Sequence, residues 1–151
     1  MRGPAGISFD KRTATIYGNG SNPSCWTPLP VMASAVVNML QTPEPVLNRA
    51  IFICGVRDVT QNKLLEAVEA ETGHKFAVEH VDLQTIKKDA LQKLESGDLK
   101  AAVRGLAINF NFGEGECVTN FWERCENELA GVKVLGLREA VRIAMNGGSG
   151  Y

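Results

Sequence analysis

No apolar run in this sequence approaches the roughly 20 residues that cross a bilayer; the longest lie around Pro30 to Leu40 and Ala50 to Cys54. No membrane partner is expected. The first ten residues lack the apolar core of a secretory signal, so a cytoplasmic protein is expected. An excess of one charge is also missing: 16 basic residues stand against 17 acidic ones, a formal net charge of -1. Such a chain has no field that gathers nucleic acid, and no nucleic-acid partner is expected. Cysteine pairs are absent as well. Cys25, Cys54, Cys117 and Cys125 are scattered and form no CxxC, so they read as reduced thiols, with no metal site. The serines Ser21, Ser24 and Ser34 lie in no GxSxG elbow, which leaves no hydrolase signature.

What is present suits one ordinary globular domain: 151 residues, 44% apolar and 22% charged. A single domain over residues 1–146, with a flexible tail at 147–151, is the simplest organisation. Thr13, Ala14, Thr15, Ile16 and Tyr17 alternate as a strand, and Gly18, Asn19 and Gly20 make a turn. Thr27 as N-cap and Pro28 at the first helical position open a mostly buried helix to Leu40, ended by Pro43 and Pro45. Residues 50–54 form a compact apolar run, expected to be a strand covered on both faces. Thr60 caps a helix whose inner stripe is Leu64, Ala67 and Val68, with Leu65 at its edge, and Gly73 stops it. Phe76, Val78 and Val81 mark a third strand, after which Asp82 opens an amphipathic helix to about Glu95. Helices at 99–108, 121–129 and 137–145 follow, with a Gly-containing loop at 109–116. Repeated strand, helix, strand units argue for an α/β layer.

Few residues carry chemistry. Gly18-Asn19-Gly20-Ser21-Asn22-Pro23 lacks the third glycine of a dinucleotide fingerprint, and no crossover helix opens at it, so it reads as a strand-ending turn. In Gly113-Glu114-Gly115 the acidic Glu114 and Glu116 repel phosphate. His74 and His80 share a strand face if the alternation holds; about 20 Å apart along an extended strand, they cannot share a metal ion. Lys87, Lys88, Lys93, Lys100 and Arg104 are interspersed with Asp89, Glu95 and Asp98, the pattern of a salt-bridged solvated surface. Phe110, Phe112, Phe121 and Trp122 flank one loop, and with Trp26 they are the candidate substrate-binding set. An apolar pocket edge and a plain helix-packing core explain them equally well.

Three stretches carry a family resemblance: Thr-Ala-Thr-Ile-Tyr-Gly-Asn-Gly at 13–20, Pro-Glu-Pro-Val-Leu-Asn-Arg-Ala-Ile-Phe-Ile at 43–53, and Thr-Gln-Asn-Lys-Leu-Leu-Glu-Ala-Val-Glu-Ala-Glu-Thr-Gly-His-Lys at 60–75. In order and spacing they resemble the later part of NmrA-like, or isoflavone-reductase-like, proteins across residues 6–144. The resemblance implies an α/β fold: a partial Rossmann-like sheet of about three strands, flanking helices and a C-terminal helical lobe. It further implies the substrate-binding lobe of a truncated NAD(P)-dependent oxidoreductase homologue of secondary metabolism, taking a small apolar or aromatic metabolite. The family's NADPH loop and its catalytic residues precede this region, so no catalytic and no cofactor-binding residue carries over. Two alternatives stand beside it: a regulatory or protein-interaction module, and a cofactor-free isomerase or cyclase. An apolar strand at 51–54 without its usual neighbours needs cover, supplied either by a homodimer or by the late helices folding back.

Overall fold

The computed structural model describes residues 6–113 and 119–147. The expected α/β class is what the chain adopts, with five α-helices, a three-stranded sheet and a two-stranded sheet among the described residues. These elements fall into two compact units, each assembled from two separate stretches of chain: 1–22 with 60–119, and 23–59 with 120–151.

The first unit holds β1 (Ile7–Ser8), β2 (Thr13–Tyr17), α2 (Gln61–Thr72), β5 (Ala77–Val81), α3 (Leu83–Glu95) and α4 (Leu99–Phe112). Its sheet runs β1-β2-β5, with β2 parallel to β5 from Thr13 opposite Ala77 to Tyr17 opposite Val81. Parallel neighbours need a crossover connection, which here includes α2. The helix begins and ends where its residues dictate. The Thr60 hydroxyl accepts from the Lys63 amide, and Gly73 takes the left-handed conformation, at φ 69°, that side chains resist. Leu64, Leu65, Ala67 and Val68 are buried. The Asp82 carboxylate caps α3 by accepting from the Thr85 amide. α3 and α4 pack together, and Gly105 is where they come closest: a Cβ there would stand 2.7 Å from the Ala90 Cβ.

Glu69 fastens the end of α2 to the start of β5. Its carboxylate accepts from the Lys75 ammonium at 2.5 Å and from the Phe76 amide at 2.9 Å. The Lys75 hydrogen bond, then the Phe76 amide, hold this carboxyl below its ordinary value of 4.5. A depressed pKa contributes stability that is full above 4.5 and lost as pH falls through the lower folded value. Thermal melts should therefore show a shallower loss of stability below pH 4.5 in Glu69→Gln than in the parent. Parallel acid limbs in the two proteins would contradict this role.

The second unit holds β3 (Ser24–Trp26), α1 (Leu29–Gln41), β4 (Val56–Val59), a 3-10 turn at Trp122–Arg124 and α5 (Leu137–Gly147). β3 and β4 pair antiparallel with an irregular register, Ser24 opposite Val59 and Trp26 opposite Val56. Asp58 sits within that irregularity at φ 55°, a conformation aspartate tolerates better than most residues. Ala35 of α1 packs with Ala130 and Val132, and Val31, Met39 and Ile53 pack partly buried against them.

Several expectations need correction. Residues 51–54 are not a strand within a sheet; only Phe52 forms an isolated bridge, with Cys125, and the strand lies later, at Val56–Val59. The premise for a homodimer built on that strand goes with it. α1 is capped at Pro28 rather than Thr27 and is mostly exposed, with Ala35 its one buried residue and Leu40 75% accessible. Its apolar content reflects a face left open, which apolarity alone does not distinguish from a buried one. α4 continues to Phe112, so Asn109, Phe110 and Phe112 are helical rather than in a loop. The helix expected at 121–129 is a single 3-10 turn followed by non-helical chain. Residues 114–116, Cys117 and the glycines after 147 lie outside the described residues.

Candidate functional site

The aromatic candidates divide between the two units. In the first, Phe112 stacks on Tyr17 at 5.1 Å, and its carbonyl accepts from the Asn22 side chain. Phe110, one turn position away on α4, is half exposed. In the second, Phe121 lies against Phe52 at 5.5 Å, and the Arg124 guanidinium stands 4.4 Å over the Phe52 ring. The Arg57 guanidinium stands 5.2 Å from the Trp122 ring centre while also bonding Asp58 at 3.0 Å. Trp26 turns its indole N–H to the Ser24 hydroxyl, which donates to the Val59 carbonyl at 2.9 Å. A guanidinium over a ring is attracted by the negative face of the π system. The second unit thus carries two adjacent aromatic positions on the chain, Phe121 and Trp122, each tied to a partner 65 or more residues earlier.

Sequence reading missed Tyr17, Phe52, Arg57 and Arg124 as members of these groups. Tyr17 and Phe52 were absorbed into strand-like runs, and isolated arginines carry no local signal.

Around the glycine turn, the structure brings together what the chain order separates. The N-terminus of α2 does meet the turn: the Asn62 amide donates to the Gly20 carbonyl at 3.1 Å, and the Asn62 side chain donates to the Asn19 carbonyl. Several of the backbone donors there are already used. Gly18 N–H goes to Val81, Gly20 N–H to Tyr17, Ser21 N–H to the Asn19 side chain and Lys63 N–H to Thr60. A pyrophosphate cradle needs such amides free, and these four are bonded within the turn and its neighbours. His74 lies outside β5, in the loop before it, close to Arg12 at 3.4 Å, while His80 is in β5 with Nδ1 3.2 Å from the Gly18 carbonyl. The shared strand face expected for them does not form.

The second unit also gathers three thiols that the sequence scatters. The chain at 53–55 runs between two others. On one side Gly55 N–H donates to the Thr27 hydroxyl; on the other Asn127 bonds both the amide and the carbonyl of Cys54, at 2.9 and 2.8 Å. The Cys25 thiol donates toward the Asn120 side-chain oxygen at 3.9 Å, Cys54 to the Val56 carbonyl at 3.1 Å and Cys125 to the Phe121 carbonyl at 3.5 Å. Burial, then the Cys25 hydrogen bond, pushes the Cys54 thiol up to about 12; burial also raises Cys125. Among the described residues, no group of three histidine, cysteine or carboxylate side chains is arranged to hold a metal ion, and no helix is long and apolar enough to cross a membrane.

Over 139 residues the chain is 31% identical to the protein named oxidoreductase poxI from Penicillium oxalicum, covering 90% of this chain and 44% of that protein. Its relatives are oxidoreductases by name. A second, oxidoreductase aprR from Aspergillus flavus, is 28% identical over 148 residues, covering 94% of this chain and 48% of that protein. The chain spans less than half the length of either oxidoreductase. No family model matches the sequence.

Proposed function

We propose that the chain is the substrate-side part of an NAD(P)-dependent oxidoreductase of the NmrA-like kind, and that it holds a small aromatic or apolar metabolite without holding the dinucleotide. The observation that carries the reading is similarity to oxidoreductases over nine-tenths of this chain and under half of theirs. The committed amides of the glycine turn support the second clause. The rings of Phe52, Phe121 and Trp122, bordered by Arg57 and Arg124, suit a flat ring carrying a polar or anionic group. Only two tryptophans are present, Trp26 and Trp122, so indole fluorescence reports on this unit. Titration with aromatic carboxylates should quench it in the parent and much less in Trp122→Phe. Calorimetric titration with NADPH should give no heat of micromolar binding; a micromolar dissociation constant would refute the proposal.

One observation favours an interaction module instead: Leu29, Met32, Val36, Val37 and Leu40 all stand exposed on α1. Failure of every aromatic ligand to bind, with self-association abolished by Val37→Glu, would turn the reading that way.

A further inference from the structure

We propose that the polar face of the β1-β2-β5 sheet binds a dipeptide-like zwitterion, a small molecule whose anion and cation are separated by a hydrogen-bonding middle. The inference concerns the first unit alone and does not depend on the metabolite reading of the second.

The two faces of this sheet differ in chemistry. Ile7, Ala14 and Ile16 share one face and are buried. The register sets Ser8 opposite Thr13, Thr13 opposite Ala77 and Thr15 opposite Glu79, so these five side chains share the other face. They line a groove of about 440 Å³, within the roughly 300–1,000 Å³ of small-molecule sites. Lys11, in the turn between β1 and β2, adds an ammonium to the lining.

Two hydroxyls carry the argument. Ser8 is 4% and Thr15 7% exposed, and neither hydroxyl has a hydrogen-bond partner among the described residues. A buried hydroxyl left unpaired costs free energy. Yet no side-chain oxygen among the described residues is both sealed from solvent and unpartnered, so these two open onto the groove they line. Each can donate and accept. The fold thus keeps two hydroxyls where alanine and valine would fill the space, and a ligand in the groove is what would satisfy them.

The charged groups set the ends. The Lys11 ammonium and the Glu79 carboxylate both line the groove, and neither forms a side-chain hydrogen bond or an ion pair among the described residues. Opposite charges that share a groove without pairing across it leave one partner for an anion and one for a cation. Along the sheet the order is Lys11, then Ser8 and Thr13, then Thr15 and Glu79. A dipeptide offers the matching order: a carboxylate for Lys11, an amide whose N–H and C=O meet the hydroxyls, and an ammonium for Glu79.

The test titrates alanylalanine into the full chain while backbone amide shifts are followed by NMR. The amides of Thr13, Thr15 and Glu79 should move together and saturate. Removing one charge from the probe, as its N-acetyl or C-amide form, should weaken binding about two- to five-fold, the scale of one exposed ion pair. Glu79→Gln should weaken alanylalanine but not its N-acetyl form, and Lys11→Met should weaken alanylalanine but not its amide, which ties each end to its residue. Thr15→Val should weaken binding about fivefold, the scale of one hydrogen bond, and leave the melting temperature unchanged or higher, because the hydroxyl it removes has no partner in the fold. A fall of several degrees in Thr15→Val would mean that the hydroxyl serves the fold, and would overturn the proposal. Absence of saturable shifts with alanylalanine, or tighter binding of glucose, a neutral polyol, would overturn it too.

Discussion

Replacing Gln61 by leucine is expected to destabilise the chain by about 2–4 kcal/mol, because a buried and a part-buried backbone group lose their partners at once. Gln61 is 4% exposed at the start of α2. Its side-chain oxygen accepts from the Tyr17 amide at 2.8 Å, and its side-chain nitrogen donates to the Thr15 carbonyl at 3.1 Å. β1 is only two residues long and pairs with Thr13 and Ala14, so the far half of β2 has no strand on that side. A side-chain amide, which supplies both a donor and an acceptor to this edge, takes the missing strand's place. Gln61→Leu keeps the volume and removes both functions. Gln61→Glu keeps the acceptor for Tyr17 and sets a carboxylate against the Thr15 carbonyl, so amide exchange at Tyr17 should be fast in the first variant and protected in the second. Urea titrations that place Gln61→Leu within about 0.5 kcal/mol of the parent would sink the argument, since that is the scale of neutral surface changes.

Gly105→Val is expected to cost about 2–3 kcal/mol through overpacking. In an exposed helix the exchange of glycine for a residue with a side chain is favourable by several tenths of a kcal/mol. Here the first added carbon would sit 2.7 Å from the Ala90 Cβ and 3.5 Å from the Ile86 carbonyl oxygen, so α3 and α4 must separate. The decisive comparison is Gly105→Ala alone against Gly105→Ala with Ala90→Gly. Moving the methyl from one helix to the other should recover most of the loss, whereas additive losses in thermal melts would mean the crossing is not the cause.

How much could be read in advance follows from where each signal resides. β2, α2, β5, α3 and α5 were legible because their instructions are local: alternation in 13–17, a threonine cap and a glycine stop around 61–72, and Asp82 before Leu83. Residues 51–54 misled because an apolar run looks the same whether its polar backbone pairs with a strand or with one asparagine. Asn127, 73 residues further on, satisfies Cys54 from its side chain, and nothing near Cys54 announces that. The same limit hid the thiol group, whose members lie 25 residues or more apart. It also hid the aromatic partners: Phe121 and Trp122 were legible as candidates, while Phe52, Arg57 and Arg124 came into view only once distant segments were brought side by side.

The alternation of chain between the two units bears on how the molecule is made. On the ribosome, β2 emerges well before β5, its parallel neighbour, because residues 23–59 must be synthesised between them. That intervening stretch is itself unfinished, since Cys54 waits for Asn127 and Ala35 waits for Ala130. The nascent chain therefore carries two open accounts of hydrogen bonding and apolar burial together until β5 closes the first and the 120–132 segment closes the second. Longer-range pairing of this kind slows folding and lengthens the exposure of unpaired edges. A pause in translation after residue 81 would let the first unit close before the second, and a gene fragment encoding only residues 60–119 would yield α2, β5, α3 and α4 with no β2 to pair with.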